Sequence, residues 1–498
     1  MTENELISLI KKSQENYIKK SKRCYLKENS QFFTPEYIAN KMLSTINIKK
    51  LESKTKIKIL EPAAGAGILI MYTLLFLIRN TEVKEIEFHA YELDNELFKM
   101  LKKNIDLLKS YFDKMDTKIK FNLFNENFIE YNSLKWKEKD SYCYDLIITN
   151  PPFKKINQDS TESKVMKELI YGQPNIYTLF IAMSLKLLNY NGILCVLSPR
   201  NYLSGDYSKK VRNFIFKDYK LSHIHTFDKR NIFKFVNQEV IISTYVKTSS
   251  KVKIEISHNG KFKFKTDLKN IIYDQKDKSI LIPNKKSNLS LLKKFLSFSY
   301  SLKELGLKIS VGPIVQFRNQ GFLSREIFSC DYSPLLISND IKENNILYYY
   351  DRKNIRKTHN KSINNKARYL LPNSNYLLLR KITAKDDHNT IISTVLEKDF
   401  FNTKFIGLDN NLLYFDRINE SEQMSLEECY GLYGFINSCY FKEFYSLING
   451  THTINVSDFK NMQFPSLKTI KKIGKCIMEN KVYSENYCSY VVKKNIDL

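Results

Sequence analysis

Lys56-Ile57-Lys58-Ile59-Leu60-Glu61-Pro62-Ala63-Ala64-Gly65-Ala66-Gly67 is an alternating, β-branched run that ends in an acid and a proline. It then passes through a string of small residues and opens onto an apolar stretch beginning at Ile68. That order reads as strand, tight turn, helix. Small side chains at such a turn let the backbone, and the free N–H groups of the helix start, approach a bound ligand closely. The alternation continues around it: strands are expected at 56–61, 86–92, 119–124, 144–149, 191–197, 221–227 and 239–247, and helices at 35–46, 66–79, 94–111 and 174–189. The last helix carries Leu179, Ile181, Ala182, Leu185, Leu187 and Leu188, while Thr34 is placed to cap the first, with Pro35 at its first position. Strands and helices in regular succession predict a doubly wound, parallel α/β sheet.

At 498 residues the chain exceeds one ordinary domain. After about residue 250 the alternation stops. Residues 251–265 read as a hairpin turning at Asn259-Gly260, a Lys- and Ser-rich stretch over 275–297 can join two domains, and 300–498 shows short strands, loops and aromatics without a period. The expected division is 1–250, a hairpin and linker at 251–290, and 291–498. An excess of 79 Lys and Arg over 53 Asp and Glu gives a net charge of +26. It suits a polyanionic partner held by phosphate contacts, although codon usage that enriches Lys, Asn and Ile would raise it too. The eight cysteines form no Cys-x-x-Cys pair and the seven histidines do not cluster. Reduced thiols, a cytoplasmic setting and no metal follow as expectations. The N-terminus Met1-Thr2-Glu3-Asn4-Glu5 lacks a signal peptide's basic and apolar order, and no apolar run reaches membrane-spanning length.

The second strand closes on Tyr91-Glu92-Leu93-Asp94, some 25 residues past the glycines. A carboxylate there can accept hydrogen bonds from both ribose hydroxyls of an adenosine group, so turn and acid together point to a nucleoside cofactor. The third strand leads to Asn125-Glu126-Asn127-Phe128, where a side-chain oxygen can read an adenine amino group and Phe128 can pack on the ring. An ordinary strand-end loop looks the same. The strongest signal is Tyr144-Asp145-Leu146-Ile147-Ile148-Thr149-Asn150-Pro151-Pro152-Phe153. Two successive prolines stiffen the backbone after a buried strand, fix the direction of the Asn150 amide and the Pro151 carbonyl, and leave Phe153 at the rim. Oxygens so placed accept both hydrogens of a planar exocyclic amine while the ring stacks on the base that bears it. Such a nitrogen is a poor nucleophile because its lone pair is delocalised into the ring. Two acceptors draw it toward sp³ geometry and aim it at a sulfonium methyl. This is catalysis by positioning and polarisation, without a covalent nucleophile or a metal. Standing alone, Asn-Pro-Pro is a stiff turn, and the loop admits cytosine N4 as well as adenine N6.

Glu61-Pro62-Ala63-x-Gly65-x-Gly67, then Glu92, then Asn150-Pro151-Pro152-Phe153 resemble, in that order, the adenine-N6 DNA methyltransferases. With Phe33-Thr34-Pro35 ahead of the Gly-rich turn and a large region behind the catalytic half, the arrangement is similar to the gamma class, the TaqI-like enzymes of restriction-modification systems. The resemblance covers residues 31 to about 247. It implies a seven-stranded Rossmann-like S-adenosylmethionine-dependent methyltransferase domain, then a mixed α+β target-recognition region. S-adenosyl-L-methionine is the implied cofactor and double-stranded DNA the partner, with the target adenine flipped out of the stack. By the same resemblance Thr34, Ala63 and Gly65 line the methionine moiety, Glu92 holds the ribose, Asn127 and Phe128 meet the cofactor adenine, and Glu61, Leu93 and Asn150 complete the cofactor set. Asn150, Pro151, Pro152 and Phe153 form the catalytic loop, and Asn175 and Tyr177 resemble the segment that follows it. Phe233, in Asn231-Ile232-Phe233-Lys234-Phe235, supplies a second ring against the target base, with Phe235 as the alternative. One departure is that Asn127 stands where relatives usually carry Asp.

In the C-terminal half, Val311 to Gln320 and Asn449 to Ser457 are also similar to segments of specificity regions in these enzymes. Gln316, Arg318, Asn319, Gln320, Arg380 and Lys381 have side chains able to hydrogen-bond base edges or phosphates. His452 reads as a loop or core hydrogen-bonder, and Cys195, between Leu194 and Val196, as core. An RNA or protein-glutamine methyltransferase can use the same loop, but neither accounts for roughly 200 further C-terminal residues. A non-catalytic DNA-binding subunit would not need the Asn150 to Phe153 set. No Asp/Glu-x-Lys nuclease cluster is evident, so any partner restriction endonuclease is expected as a separate protein, and a solitary methylase is the other expectation.

Overall fold

The run 56–61 forms β1 (Lys56–Glu61) of a nine-stranded sheet whose other members are β2 (Glu85–Tyr91), β3 (Lys118–Phe124), β4 (Tyr144–Thr149), β5 (Leu188–Pro199), β6 (Lys220–Thr226), β7 (Val240–Val246), β8 (Ile254–His258) and β9 (Phe262–Thr266). These come from a computed structural model that describes every residue except 22–24, 27–31, 53, 139–141, 229–238, 349–359, 384–390, 450–452 and 497–498. The spatial order is β3-β2-β1-β4-β5-β7-β6-β8-β9. Strands β3 to β5 run parallel across the centre, and β7 inserts antiparallel between β5 and β6. The central strands carry no polar alternation: every residue of β4 and of β7 is buried. That is the pattern of a sheet covered on both faces. Helices α1 (Glu3–Lys20) and α2 (Glu36–Ser44) precede β1, and α3 (Ile68–Asn80), α4 (Asn95–Phe112), α5 (Ile176–Lys186) and α6 (Lys209–Asp218) lie between the strands. Ile38, Met42, Ile70, Leu74, Leu101 and Ile105 pack with Ile57, Ile59, Ile86 and Phe88 in one apolar core.

Two sequence expectations are corrected here. The hairpin at 251–265 exists, with Gly260 at φ +75 in its turn. It belongs to the first unit's sheet, past the expected bound of 250: β8 pairs in parallel with β6 from His223 opposite Glu255 to Thr226 opposite His258, while the boundary between the units falls within the expected joining stretch 275–297. A sheet of seven strands would end on the open edge of β6, and the hairpin covers that edge. The sheet therefore has nine strands, and the first compact unit runs Met1–Lys286, the second Ser287–Leu498. The second correction is that Pro35, not Thr34, is the residue preceding the first turn of α2, and no side chain caps that helix. The Thr34 hydroxyl has another partner, described below.

The second unit is β-rich, with helices at its C-terminal end. Its antiparallel four-stranded sheet orders Leu307–Val311, Leu412–Arg417, Tyr376–Arg380 and Ser393–Leu396. The helices Leu426–Asn437 and Leu467–Asn480 pack at backbone contact: a Cβ on Gly431 would lie 2.0 Å from the Ile470 carbonyl oxygen, and one on Gly474 would lie 1.9 Å from that of Glu427. Among the described residues, no helix is long and apolar enough to cross a membrane.

Candidate active site

Strands β1 to β4 end on the same side of the sheet, and the strand order reverses between β1 and β4. A crevice at the carboxyl ends of strands is where open α/β sheets bind ligands. A cavity of ≈ 480 Å³ lies there, lined by the turns after β1 (Pro62, Ala63, Gly65), β2 (Glu92 to Leu97), β3 (Glu126, Asn127, Phe128) and β4 (Asn150, Pro152). Phe32 and Phe33, ahead of α2, Ile176 and Phe180 of α5, together with Tyr25, Tyr91 and Glu162, complete the wall.

The turn after β1 depends on glycine: Gly65 and Gly67 have φ of +54 and +86, the left-handed region that a side chain rarely adopts. The turn directs the Gly65 N–H onto Glu92, which accepts it at 2.8 Å through Oε2, while Oε1 accepts the Asp94 N–H at 2.8 Å. Burial raises the Glu92 pKa and outweighs these two donors, so the carboxyl is pushed up to about 7. Glu61 is deeper. It lies beneath the turn rather than on the cavity wall, its Oε2 has no hydrogen-bond partner, and burial, then the charge of Glu92, holds its pKa well above the usual carboxylate range.

Beyond β2 the wall is aromatic. Tyr91 stacks on Phe124 at 4.6 Å and meets Phe128 edge-on at 5.3 Å, and Phe128 lies 5.3 Å from Phe180. Asn127 caps the short helix Phe128–Tyr131, its Oδ1 accepting from the Ile129 and Glu130 N–H groups at 3.1 and 3.3 Å. Its Nδ2 donates to Glu162 Oε1 at 2.9 Å and to Glu130 Oε1 at 3.2 Å.

After β4 the second asparagine is held the other way round. Asn150 Nδ2 donates to the Phe32 carbonyl at 2.8 Å and to Thr34 Oγ1 at 3.1 Å. Its Oδ1 is buried with no hydrogen-bond partner. A buried, unpaired amide oxygen costs about 1–3 kcal/mol unless a ligand satisfies it. Pro152 contributes to the cavity wall and Phe153 does not. The Phe153 ring stacks on Phe32 at 5.8 Å and meets Tyr177 edge-on at 6.0 Å. Tyr177 is buried and donates to Asn201 Oδ1 at 2.7 Å. The loop after Phe153 is pinned to the start of α5, where the Ile176 N–H donates to the Lys154 carbonyl at 2.9 Å.

The cavity's charge is opposite to the protein's. Glu92, Asp94, Glu96, Glu126 and Glu162 line it, and the described lining contains no Lys, Arg or His, although the chain carries +26 overall. Of the residues expected at a cofactor, Ala63, Gly65, Glu92, Leu93, Asn127, Phe128 and Asn150 share this wall; Thr34 and Glu61 stand just behind it. Phe233 and Phe235 lie outside the described residues, as does His452. Sequence reasoning missed Tyr25, Phe32, Glu162 and Phe180. Phe180 alone had a usable signal, one turn into a helix that begins near the catalytic loop.

In the second unit, the residues expected to meet DNA separate by environment. Gln316 has both ends of its amide engaged inside the unit, Nε2 with Asp409 at 2.7 Å and Oε1 with Asn360 Nδ2 at 3.1 Å. Asn319 donates to the Val315 carbonyl. Arg380 is buried in its strand, and its Nε donates to the Ile341 carbonyl at 2.8 Å. Lys381, beside it, is half-buried. Arg318 and Gln320 are exposed, and the Arg318 guanidinium lies 5.4 Å from the ring of Phe317. Cys195 is buried, as its strand position implied.

Residues 10–233 match the family described as Eco57I restriction-modification methylase. The chain is 28% identical over 474 residues to the type II methyltransferase M.BsuBI of Bacillus subtilis, covering 91% of each protein. It is 27% identical over 434 residues to M.PstI of Providencia stuartii, covering 84% of each. The solved DrdV–DNA complex shares the fold, with a TM-score of 0.52 and 14% identity over 96% of this chain and 60% of that one. Because the matches to M.BsuBI and M.PstI run through both units, the second unit is part of the likeness as well as the first. Residues 10–233 are thus similar to the Eco57I restriction-modification methylases, and the chain as a whole is similar to type II methyltransferases.

Proposed function

We propose that the chain methylates the exocyclic N6 of an adenine, flipped out of a specific duplex sequence, using S-adenosyl-L-methionine bound in the cavity at the ends of β1 to β4. In this reading β1 to β7 are the Rossmann-like methyltransferase core, with β8 and β9 an extension of it, the second unit selects the target sequence, and the enzyme works in the cytoplasm on double-stranded DNA.

The observation that carries the reading is the Asn150 amide, whose nitrogen is held by Phe32 and Thr34 while its buried oxygen has no partner. An amide so fixed cannot rotate its donor toward the ligand. It presents an acceptor only, which selects an amine hydrogen over a carbonyl. The lining supports the cofactor assignment. Five carboxylates without a described cation suit a ligand bearing sulfonium and ammonium charges and repel one bearing phosphates. Glu92 is placed to accept from ribose hydroxyls, and Phe128 and Phe180 form an apolar slot for a purine. When bound, S-adenosylmethionine supplies an electrophilic methyl group. The protein's own part is to accept an amine hydrogen at Asn150 Oδ1, to hold the base against Phe153, and to keep the nitrogen lone pair directed at the methyl.

The test is a nucleoside digest of duplex DNA incubated with the purified protein and S-adenosylmethionine. N6-methyladenine at one short sequence is the expected product. N4-methylcytosine, or preferential labelling of RNA or a glutamine-bearing protein, overturns the substrate assignment.

A further inference from the structure

We propose that Glu162, from the short helix Thr161–Val165 behind the catalytic loop, is the residue that recognises the adenine amino group of the cofactor, and that Asn127 positions it. The inference rests on S-adenosylmethionine occupying the β1–β4 cavity and adds to that reading a residue from outside the strand ends.

Asn127 cannot accept a further hydrogen bond in its observed rotamer without giving up its cap. Its oxygen takes two backbone N–H groups and its nitrogen gives both hydrogens to Glu130 and Glu162. An adenine amine needs an acceptor, and Asn127 offers none. Glu162 does. One of its oxygens is bound by Asn127 Nδ2 at 2.9 Å, and the other, Oε2, makes no hydrogen bond among the described residues. The side chain lines the cavity together with Phe128, Ile176 and Phe180, so the slot combines apolar walls with a single oriented carboxylate oxygen. Apolar walls with one acceptor are what an aminopurine ring requires, and a 6-oxopurine would place its carbonyl oxygen against the carboxylate. The Asn127 hydrogen bond directs the carboxylate and lowers the rotamer freedom it would otherwise lose on binding.

Calorimetry on the full-length protein, with S-adenosylmethionine and with the analogue whose adenine is replaced by hypoxanthine, tests this. Wild type should prefer the adenine form by tenfold or more. Glu162→Gln should bind S-adenosylmethionine about tenfold more weakly, the scale of one hydrogen bond to a charged group. The amide can also donate to the oxo group, so the preference should collapse to within about threefold. Asn127→Ser keeps a helix-capping oxygen but loses the donor to Glu162. It should weaken S-adenosylmethionine a few-fold with the melting temperature nearly unchanged. Glu162→Ala, checked for folding by its melting curve, should lose the preference as well. If wild type binds and both Glu162 variants keep its affinity and its preference, Glu162 is not the reader and this inference fails alone. If wild type does not bind S-adenosylmethionine, the functional reading fails with it.

Discussion

Two asparagines follow strands that are consecutive in sequence and parallel in one sheet, Asn127 after β3 and Asn150 after β4, and the fold uses them in opposite senses. The backbone and Glu162 engage both ends of the Asn127 amide. Phe32 and Thr34 engage only the nitrogen of Asn150 and leave its oxygen buried and unmet. The same side chain is thus a structural clamp in one turn and a poised acceptor in the next. The difference is set by partners distant in sequence.

The largest expected effect comes from removing the poised acceptor. Asn150→Ala should reduce single-turnover methyl transfer by on the order of 100-fold or more while leaving cofactor affinity nearly intact, as when one preorganised polar group is lost. A rate within a few-fold of wild type would break the contrast. Glu92 comes next: Glu92→Ala should weaken S-adenosylmethionine by about 100-fold or more, since two charge-assisted hydrogen bonds of roughly 1.5–3 kcal/mol each are lost.

Glu92 also fixes a pH dependence. With its pKa raised to about 7 from 4.5, the folded free protein holds a proton between those values that the unfolded chain has released. Its contribution to stability is therefore favourable at low pH and is lost as pH rises through about 7. Ribose hydroxyls favour the ionised form, so binding below pH 7 should release a proton. Affinity should fall about tenfold per pH unit below the free-protein pKa. Calorimetry in two buffers of different ionisation enthalpy reads that proton directly, and Glu92→Gln should abolish it.

A smaller effect separates the two sides of the Asn150 amide. Thr34→Ala removes one of its two restraints, so turnover should fall by about 2- to 10-fold, the value of one neutral hydrogen bond. Cofactor affinity should change less than turnover. Asn127→Ala probes the clamp and should lower stability by about 0.5–2 kcal/mol through loss of the helix cap, measured by denaturant unfolding. If its only defect were in the chemical step, the two asparagines would not differ as described.

The first unit was legible because its elements follow local rules. β1 and β4 fall at the expected residues, and the other five expected strands lie within a few residues of the predicted bounds, since buried parallel strands read as short β-branched runs that alternate with longer helical stretches. The second unit was not. Helix Leu426–Asn437 is buried nearly all round, so no polar face marks its turn. Helix Leu467–Asn480, which buries Ile470, Ile473, Gly474 and Ile477, did carry the period and was overlooked among its lysines.

For the site, the linear chain is enough to name the strand-end residues Gly65, Glu92, Asn127 and Asn150, because a parallel sheet brings the ends of its strands together whatever the loops do. It does not reveal that Glu162 reaches the cavity, that Thr34 serves Asn150 instead of its own helix, or that Arg380 faces inward. Those outcomes depend on loop paths and on which polar groups must find partners once buried. Hydrogen-bond satisfaction is settled among residues that meet only after the chain has folded, and no local pattern records it.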